Sequence, residues 1–452
     1  MTRSGLARPT AADALTSRPA DVGAPDSAPV KTAVVTPIGP YLPLLPSSLL
    51  GYATSVLLAR GEVDVIDFCM RAHAANRQLV GMALRNLEQT ADDVPVIMMW
   101  SLLAAQARAE YRKVQWSDYE QVFVTHPGWA PTLPAGLIVE LAEEIHAQSP
   151  NTEVCCFGTS LGTWTDVDAL AHGRVRPVHL NALLAESPWA RPIDYDQLPA
   201  PTFRELEGYI FRLLPFRLRH GCCWGRCRFC SISRGAGAGY QERSVEHVAA
   251  ELARMVETYA PTGLVCHDNA VNGGRLLAFC ERIGQLGKPW LCAARSDLSR
   301  TEVLALARSG CKGVYLGIES GNEQVLTAMA KGTTVQEHDQ VLAWLPEAGI
   351  EPVPSVFVGA PWETEAAFAD TCALLRRHRG RVHIVNVYKF RWSPGTGDPA
   401  AGQPPHANTE RRYDTLLQVC RENGMLPVPG ITTLEFLFAR LICPKTQGYS
   451  AS

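Results

Sequence analysis

The sequence predicts an α/β protein: a doubly wound, Rossmann-like N-terminal domain followed by six β/α repeats that form a partial barrel. Two observations lead to this fold class. Short apolar segments alternate with amphipathic helical segments over most of the 452 residues, which is typical of parallel βαβ units. Hydrophobic residues make up 46% of the chain, enough for a large core, and the length suggests two or three domains.

Changes in composition divide the chain. Residues 1–30 are rich in proline and have no apolar period, so we expect a disordered leader. Residues 31–185 contain the first βαβ series, and the Pro-rich segment 186–209 is predicted to be a linker. The partial barrel takes residues 210–400. Residues 401–452 are a C-terminal extension whose role the sequence does not indicate.

In the N-terminal domain we predict a strand at Thr32–Thr36, a helix at Ser47–Ala59 and a strand at Val63–Phe68. The next segments are a strand in "VPVIMMW", a helix in "LPAGLIVELAEEIHAQ" and a strand in "TEVCCFG". Sheets of this kind bind ligands beyond the carboxyl ends of their strands.

The barrel strands are predicted in "PFRLRHGCCWGRC", "TGLVCHDN", "WLCAARSD", "CKGVYLGIESG", "EPVPSVFVGAP" and "VHIVNVYKFRW". Helical segments separate them. The first, "SVEHVAAELARMVETYA", has apolar residues at helical spacing, and Ser244 is its expected N-cap. The functional site of such a barrel lies at the carboxyl ends of its strands.

The composition excludes several classes of function. A net charge of −3 shows no global bias toward nucleic acid or an anionic membrane. The N-terminus lacks the pattern of a secretory signal, and no apolar run approaches the ~18 residues of a membrane helix. We therefore expect a cytoplasmic protein with neither a nucleic-acid nor a membrane partner.

Four of the 14 cysteines fall between residues 222 and 230. A zinc site would need a second ligand pair at similar spacing, and no later CxxC or HxxxH is present. Three thiolates on one short loop suit a [4Fe–4S] cluster with one iron left open, because soft thiolate ligands favour such clusters.

At this point the chain resembles the radical S-adenosylmethionine (SAM) enzymes. Cys223-x3-Cys227-x2-Cys230, with Phe229 before the last cysteine, is similar to the signature of that family. Related sequences often begin the motif with Gly-Cys, which here is Gly221-Cys222, so Cys222 is the alternative first ligand.

The resemblance also implies SAM contacts at the ends of the later strands. "CHDN" supplies candidates for the methionyl amino and carboxylate groups, and "AARSD" supplies a guanidinium for the carboxylate. "LGIESG" is suited to ribose hydroxyls or the ammonium, and "VFVGAPWET" is similar to the segment beside adenine. With Phe229, the SAM-binding candidates are Asp268, Asn269, Arg295, Glu319, Ser320 and Gly359.

The domain before the barrel resembles the cobalamin-binding domain of cobalamin-dependent radical SAM enzymes. Gly158 and Gly162 are the candidates for close backbone approach to the cofactor. The Asp-x-His-x-x-Gly motif that supplies a cobalt ligand in many such domains is absent. His73 lacks the flanking residues of that motif, and we expect it on a helix surface.

The leading hypothesis is an enzyme that uses a [4Fe–4S] cluster, SAM and cobalamin to methylate an unactivated carbon of a natural product or peptide. The alternative outcome is a rearrangement, ring contraction, decarboxylation or epimerisation. A third hypothesis, from another class, is a non-catalytic cobalamin or Fe–S sensor. The enzyme would need an electron donor such as flavodoxin or ferredoxin. Candidates to line a substrate pocket near the sixth strand are His378, His383, Tyr388, Lys389, Arg391 and Trp392.

Overall fold

The computed structural model describes residues 31–37, 44–90, 109–125, 135–157, 175–178, 194–230, 239–392 and 406–444. Several sequence-based predictions lie outside these ranges. They are the leader at 1–30, the strand in "VPVIMMW", and the two glycines Gly158 and Gly162.

The N-terminal domain is built on a parallel five-stranded sheet with the order β2-β1-β3-β4-β5. Its strands are β1 Thr32–Thr36, β2 Val63–Asp67, β3 Gln121–Val124, β4 Glu153–Phe157 and β5 Arg176–Val178. Its helices are α1 Ser48–Leu58, α2 Phe68–Ala75, α3 Arg77–Thr90 and α4 Ala135–Gln148. The strand order reverses between β1 and β3, which is the ligand-binding position of a doubly wound sheet.

The second domain contains a parallel seven-stranded sheet with the order β14-β13-β12-β11-β10-β9-β6. Its strands are β6 Leu213–Phe216, β9 Gly263–Cys266, β10 Trp290–Arg295, β11 Cys311–Glu319, β12 Glu351–Val358, β13 Ile384–Lys389 and β14 Leu426–Val428. Its helices are α5 Val245–Tyr259, α6 Leu276–Gly284, α7 Arg300–Arg308, α8 Glu323–Ala328, α9 Val335–Glu347, α10 Glu365–Arg377, α11 Thr409–Glu422 and α12 Ile431–Arg440. Ser244 caps α5 as predicted, because its side chain accepts a hydrogen bond from His247 N.

The C-terminal extension is part of this domain rather than an appendage. β14 pairs with β13 as a seventh strand, so the sheet is one strand wider than the six expected. Phe436 and Phe438 of α12 belong to the same buried core as Val353 of β12 and Val124 of β3. The ring of Phe436 lies 5.6 Å from that of Phe211. This helix therefore helps to join the two domains.

The predicted linker is packed between the domains. Its described part begins at residue 194 and has two short 3₁₀ turns at Tyr195–Gln197 and Leu206–Gly208. Tyr195, Phe203 and Tyr209 are buried. In the described ranges, no helix combines the length and the apolar character that crossing a membrane requires.

Candidate functional site

A short antiparallel ribbon closes the base of the cysteine loop, residues 221–240. Strands β7 Arg219–His220 and β8 Gln241–Glu242 form it, with Arg219 opposite Glu242. Gly221 has a φ of +74°, and a Cβ there would lie 1.9 Å from the carbonyl oxygen of Gly239. Glycine is therefore required where the chain leaves the ribbon and enters the cysteines.

The four cysteines lie at the carboxyl edge of the barrel. Cys223 is exposed, and Cys222, Cys227 and Cys230 are partly buried. A hydrogen bond from Cys223 lowers the pKa of the Cys222 thiol to about 5, helped by the backbone N–H groups of Gly225 and Trp224. The same contact raises the pKa of Cys223, and burial raises that of Cys227.

The donor set fits a [4Fe–4S] cluster in its chemistry. Thiols and backbone N–H groups share the loop, and Arg295 acts electrostatically on Cys222, Cys223 and Cys227. Across the described ranges, no three His, Cys, Asp or Glu side chains converge closely enough to hold a metal ion. Cys223 stays the predicted first ligand, with Cys222 as the alternative.

The segment after α8, residues 328–333, holds the outer side of the loop. We call it the clamp segment. Trp224 Nε1 donates to the carbonyl of Ala330 at 2.8 Å, and Arg228 N donates to that of Met329 at 2.9 Å. Gly332 has a φ of +67°, and a Cβ there would lie 2.1 Å from the Trp224 ring. The ring thus occupies the place that a side chain at position 332 would take.

Phe229 anchors the other end of the loop against the barrel. Its ring lies 5.6 Å from Phe357 of β12 at an angle of 73°, and 6.3 Å from Phe390 just after β13. Trp362 and Trp392 extend this cluster, with centroids 5.6 Å apart. Such edge-to-face contacts fix ring positions.

Glu319 lies inside the barrel mouth in a buried polar network. Lys331 Nζ donates to its Oε1 at 2.9 Å, and Tyr388 OH donates to its Oε2 at 2.8 Å. Ser355 Oγ donates to the same Oε2 at 3.3 Å. Burial raises the pKa of Tyr388 well above its usual range, with the carboxylate of Glu319 as the next cause. Both carboxylate oxygens of Glu319 therefore have protein partners.

Arg295 is also bound to its surroundings. Its Nε and Nη2 donate to Asp297 Oδ2 at 3.1 and 3.0 Å, Nη1 donates to Lys331 O, and Nη2 donates to Gly332 O. Its guanidinium carbon lies 4.9 Å from the centre of the Trp224 ring. In this structure Arg295 fixes the clamp segment and Trp224. Its predicted pairing with the SAM carboxylate stays a prediction.

Four SAM candidates remain, and each has a hydrogen-bond partner within the protein. Asp268 is buried and accepts from Leu218 N at 3.1 Å, which ties β9 to the start of the ribbon. Ser320 is buried, with its Oγ 3.2 Å from Thr371 Oγ1 in α10. Asn269 is exposed beside the cysteine loop and donates to Gly221 O at 3.4 Å. Gly359 directly follows the last residue of β12, and its backbone N–H donates to the carboxylate of Glu363. All four remain predicted SAM contacts.

Two of the predicted pocket residues do not lie at this edge. His383 precedes β13, so it lies at the amino edge of the sheet, where it contacts Glu351 at 3.0 Å. His378 caps the end of α10 and contacts Asp339 at 2.8 Å. Tyr388 does face the barrel mouth, and Arg391 and Trp392 follow the carboxyl end of β13. Periodicity alone could not separate the two edges.

The carboxyl edge of the N-terminal sheet carries a pair of buried hydroxyls at its switch point. Thr36 Oγ1, at the end of β1, lies 3.0 Å from Thr125 Oγ1, just after β3. The prediction for His73 was wrong: it is 2% exposed in α2, with Nδ1 2.6 Å from the carbonyl oxygen of Cys69. Burial lowers the pKa of His73 to about 4.

The carboxyl edges of the two sheets meet. Arg217, directly after β6, donates to Ser48 at the start of α1 at 3.2 Å. The segment before β6 also contacts this sheet, because Tyr209 OH donates to Asp67, the last residue of β2, at 2.6 Å. A ligand bound beyond β1 and β3 would therefore lie on the side of the N-terminal domain that faces the barrel.

A buried charge network joins the domains beside this edge. Arg243 donates to both carboxylate oxygens of Glu251 at 2.9 and 3.0 Å and to Asp196 at 2.9 Å. Tyr52 of α1 donates to Glu251 at 2.7 Å and accepts from Arg243 at 2.9 Å. The guanidinium is thus bonded to the N-terminal domain, the connecting segment and α5.

Sequence reasoning missed Trp224 and Lys331. The tryptophan stands beside Cys223, yet its partner Gly332 is more than a hundred residues away. Lys331 was not singled out from the sequence, and it is 6% exposed. The sequence "AKG" gave no signal of either contact, because both depend on how α8 returns to the loop.

Residues 219–375 match the model of the radical SAM superfamily. This stretch begins at β7, contains the cysteine loop and ends in α10. The chain therefore carries a radical SAM domain, and this class of domain implies a [4Fe–4S] cluster and SAM as cofactors.

Curated relatives match parts of the chain, among them the following two. An uncharacterised methyltransferase of Pyrococcus horikoshii is 29% identical over 229 residues, which is 47% of this chain and 50% of that one. A tRNA-2-methylthio-N(6)-dimethylallyladenosine synthase of Mycobacterium leprae is 31% identical over 144 residues, which is 29% of this chain and 27% of that one. The chain thus spans half or less of the length of these relatives.

Solved structures match over both domains. TsrM, a radical SAM methyltransferase from Kitasatospora setae solved with cobalamin and a [4Fe–4S] cluster, has a TM-score of 0.58 at 15% identity, covering 82% of this chain and 77% of its own. OxsB, a cobalamin-dependent SAM radical enzyme, has a TM-score of 0.54 at 14% identity, covering 87% of this chain and 56% of its own. The chain has the fold of these cobalamin-dependent radical SAM enzymes, and the predicted fold class is confirmed.

Proposed function

We propose that this protein reductively cleaves SAM at a [4Fe–4S] cluster and, with cobalamin, methylates an unactivated carbon of a natural product or peptide. The observation that carries the proposal is the meeting of the two carboxyl edges through Arg217 and Ser48. It favours a cofactor of the N-terminal domain and a SAM-derived radical sharing one cavity. The fold shared with TsrM and OxsB supports cobalamin as that cofactor.

Cys227, Cys230 and either Cys223 or Cys222 would hold the cluster. When bound, the reduced cluster supplies the electron that splits SAM into methionine and a 5′-deoxyadenosyl radical, and cobalamin supplies a transferable methyl group. Trp224 and the clamp segment fix the loop from outside, and Phe229 seals it against the aromatic cluster of β12 and β13. A dry, rigid wall protects a reactive radical from water.

The polar network in the barrel mouth orients the substrates. Lys331 and Tyr388 hold Glu319 in one position, so the orientation of its carboxylate in the barrel mouth is fixed. Arg295 holds the main chain at Lys331 and Gly332. Positions fixed in this way act through geometry, by holding reacting groups in line.

The test uses anaerobically reconstituted protein with SAM, titanium citrate and hydroxocobalamin. We expect about four irons and about one cobalamin per chain, and slow release of 5′-deoxyadenosine by mass spectrometry. Cys227→Ser is the matched control that should abolish both the iron and the cleavage. Labelled-methyl SAM then distinguishes methylation from a rearrangement.

Other results would overturn parts of the proposal. A cluster without cobalamin would exclude methyl transfer through cobalt and make the N-terminal domain a substrate or partner module. Cobalamin and a cluster without SAM cleavage would favour the sensor.

A further inference from the structure

The outer side of the cysteine loop carries positive charge without acidic residues. Residues 221–240 contain three arginines and no Asp or Glu, although the whole chain has a net charge of −3. Arg226 is exposed, and its guanidinium carbon lies 5.2 Å from the centre of the Trp224 ring. That of Arg228 lies 5.3 Å from the Trp362 ring. Arg391, exposed after β13, adjoins the same aromatic cluster through Trp392.

We call Arg226, Arg228 and Arg391 the arginine face. In the described ranges, neither Arg226 nor Arg391 forms an ion pair with a carboxylate, whereas Arg295 inside the barrel is paired with Asp297. Unpaired guanidinium groups at a surface create a positive potential that attracts acidic partners. Arg226 and Arg228 flank Cys227 in the loop that also carries Cys223, the exposed cysteine.

We propose that the arginine face is the docking surface for an acidic one-electron carrier protein. The inference rests on the proposed function, because reductive cleavage of SAM needs one external electron per event. Electron transfer slows steeply with distance, so a carrier has to dock where the cysteine loop reaches the surface. Carrier complexes are small and transient, and charge complementarity sets their association rate.

The step is a single electron transfer. The carrier loses one electron and the bound cluster gains it, with no bond formed or broken in the protein. Titanium citrate supplies the same electron without docking. A defect in docking therefore appears with the carrier and disappears with the small reductant.

The probe is flavodoxin, reduced for the activity assay and oxidised for a binding assay. Arg226→Glu should lower kcat/KM for reduced flavodoxin about fivefold at low ionic strength, and Arg226→Gln about twofold, as expected for a rim charge. Arg391→Glu should act in the same direction. The Kd of oxidised flavodoxin, measured by microscale thermophoresis, should rise in parallel. Both differences should shrink at high salt.

The matched control is Arg282→Glu. Arg282 is exposed in the last turn of α6, which returns to the amino edge of the sheet, opposite the cysteine loop. This variant has the same change in charge and should behave as the original protein. If Arg226→Glu bound flavodoxin as tightly as Arg282→Glu does, the proposal that the arginine face is the docking surface would be refuted. If Arg226→Glu binds less iron, its slower reduction no longer reports docking. Arg391→Glu then tests the docking surface by itself, because Arg391 lies outside the cysteine loop.

Failure of the proposed function gives a different result. In that case titanium citrate yields no 5′-deoxyadenosine from the unsubstituted protein. The flavodoxin Kd and its dependence on Arg226 and Arg391 still test the docking surface.

Discussion

Replacing Gly332 by alanine tests whether the clamp segment positions the cysteine loop. Gly332 has a φ of +67°, and its new Cβ would lie 2.1 to 2.5 Å from three atoms of the Trp224 ring. A real Cβ never approaches carbon so closely, so the ring has to leave. We expect the loop to lose its outer support and the protein to bind less iron.

The size of the effect follows from the contacts. Left-handed backbone costs alanine about 1 kcal/mol relative to glycine. Displacing the ring also breaks the hydrogen bond from Trp224 Nε1 to Ala330 and the two ring contacts with Arg226 and Arg295. The hydrogen bond contributes about 1 kcal/mol and each cation–π contact about 0.5 to 1 kcal/mol. Gly332→Ala should therefore lower the free energy of unfolding by about 3 kcal/mol.

Gly349→Ala separates the two causes. Gly349 has a φ of +73°, but no atom lies within 4 Å of an added Cβ. Gly349→Ala should therefore lower the free energy of unfolding only by the backbone cost of about 1 kcal/mol. The assays are urea unfolding and iron content after reconstitution. If the two variants had equal stability and equal iron content, the role of Trp224 in placing the loop would be refuted. In the double variant Trp224→Ala with Gly332→Ala the clash is absent, so its free energy of unfolding should lie only about 1 kcal/mol below that of Trp224→Ala alone, which is the backbone cost.

Three further predictions address the ligands, the N-terminal domain and the domain contact. Cys223→Ser should abolish iron binding while Cys222→Ser retains it, as measured by iron content and electron paramagnetic resonance. His73→Asn should reduce the dependence of stability on pH between 6.5 and about 4. His73 is neutral when buried, so folding is opposed by its protonation, and the stability present above pH 6.5 is lost as pH falls toward 4. Arg243→Lys should lower the free energy of unfolding by about 3 kcal/mol, because a buried guanidinium with three kinds of partner is replaced.

Each of these has its own control. Loss of the cluster from Cys222→Ser with retention in Cys223→Ser would reverse the ligand assignment. An unchanged pH profile in His73→Asn would mean that other groups cause the acid instability. Arg300→Lys alters an exposed pair with Glu347 at 3.6 Å and should cost less than about 0.5 kcal/mol. If Arg243→Lys lowered the free energy of unfolding by no more than Arg300→Lys does, the domain contact would not depend on the network.

Local signals determined the fold class and most elements. The strand at Thr32–Thr36 was predicted with its observed bounds, and Ser244 caps α5 as expected, because period and capping are read over a few residues. The cysteine spacing predicted Cys227 and Cys230 as cluster ligands, with Cys223 or its neighbour Cys222 as the third. All three signals lie within a short stretch of chain.

Tertiary structure decided the rest. Burial of His73, the packing of Trp224 over Gly332 and the network around Glu319 join residues that no local pattern connects. The extension was unreadable because β14 is three residues long and α12 packs on both domains. Side chains at opposite edges of one sheet, such as His383 and Tyr388, differ only in their place along a strand. The sequence by itself thus determined which chemistry the chain carries, and long-range packing decided where each group lies, because contacts distant in sequence form only when the domains fold together.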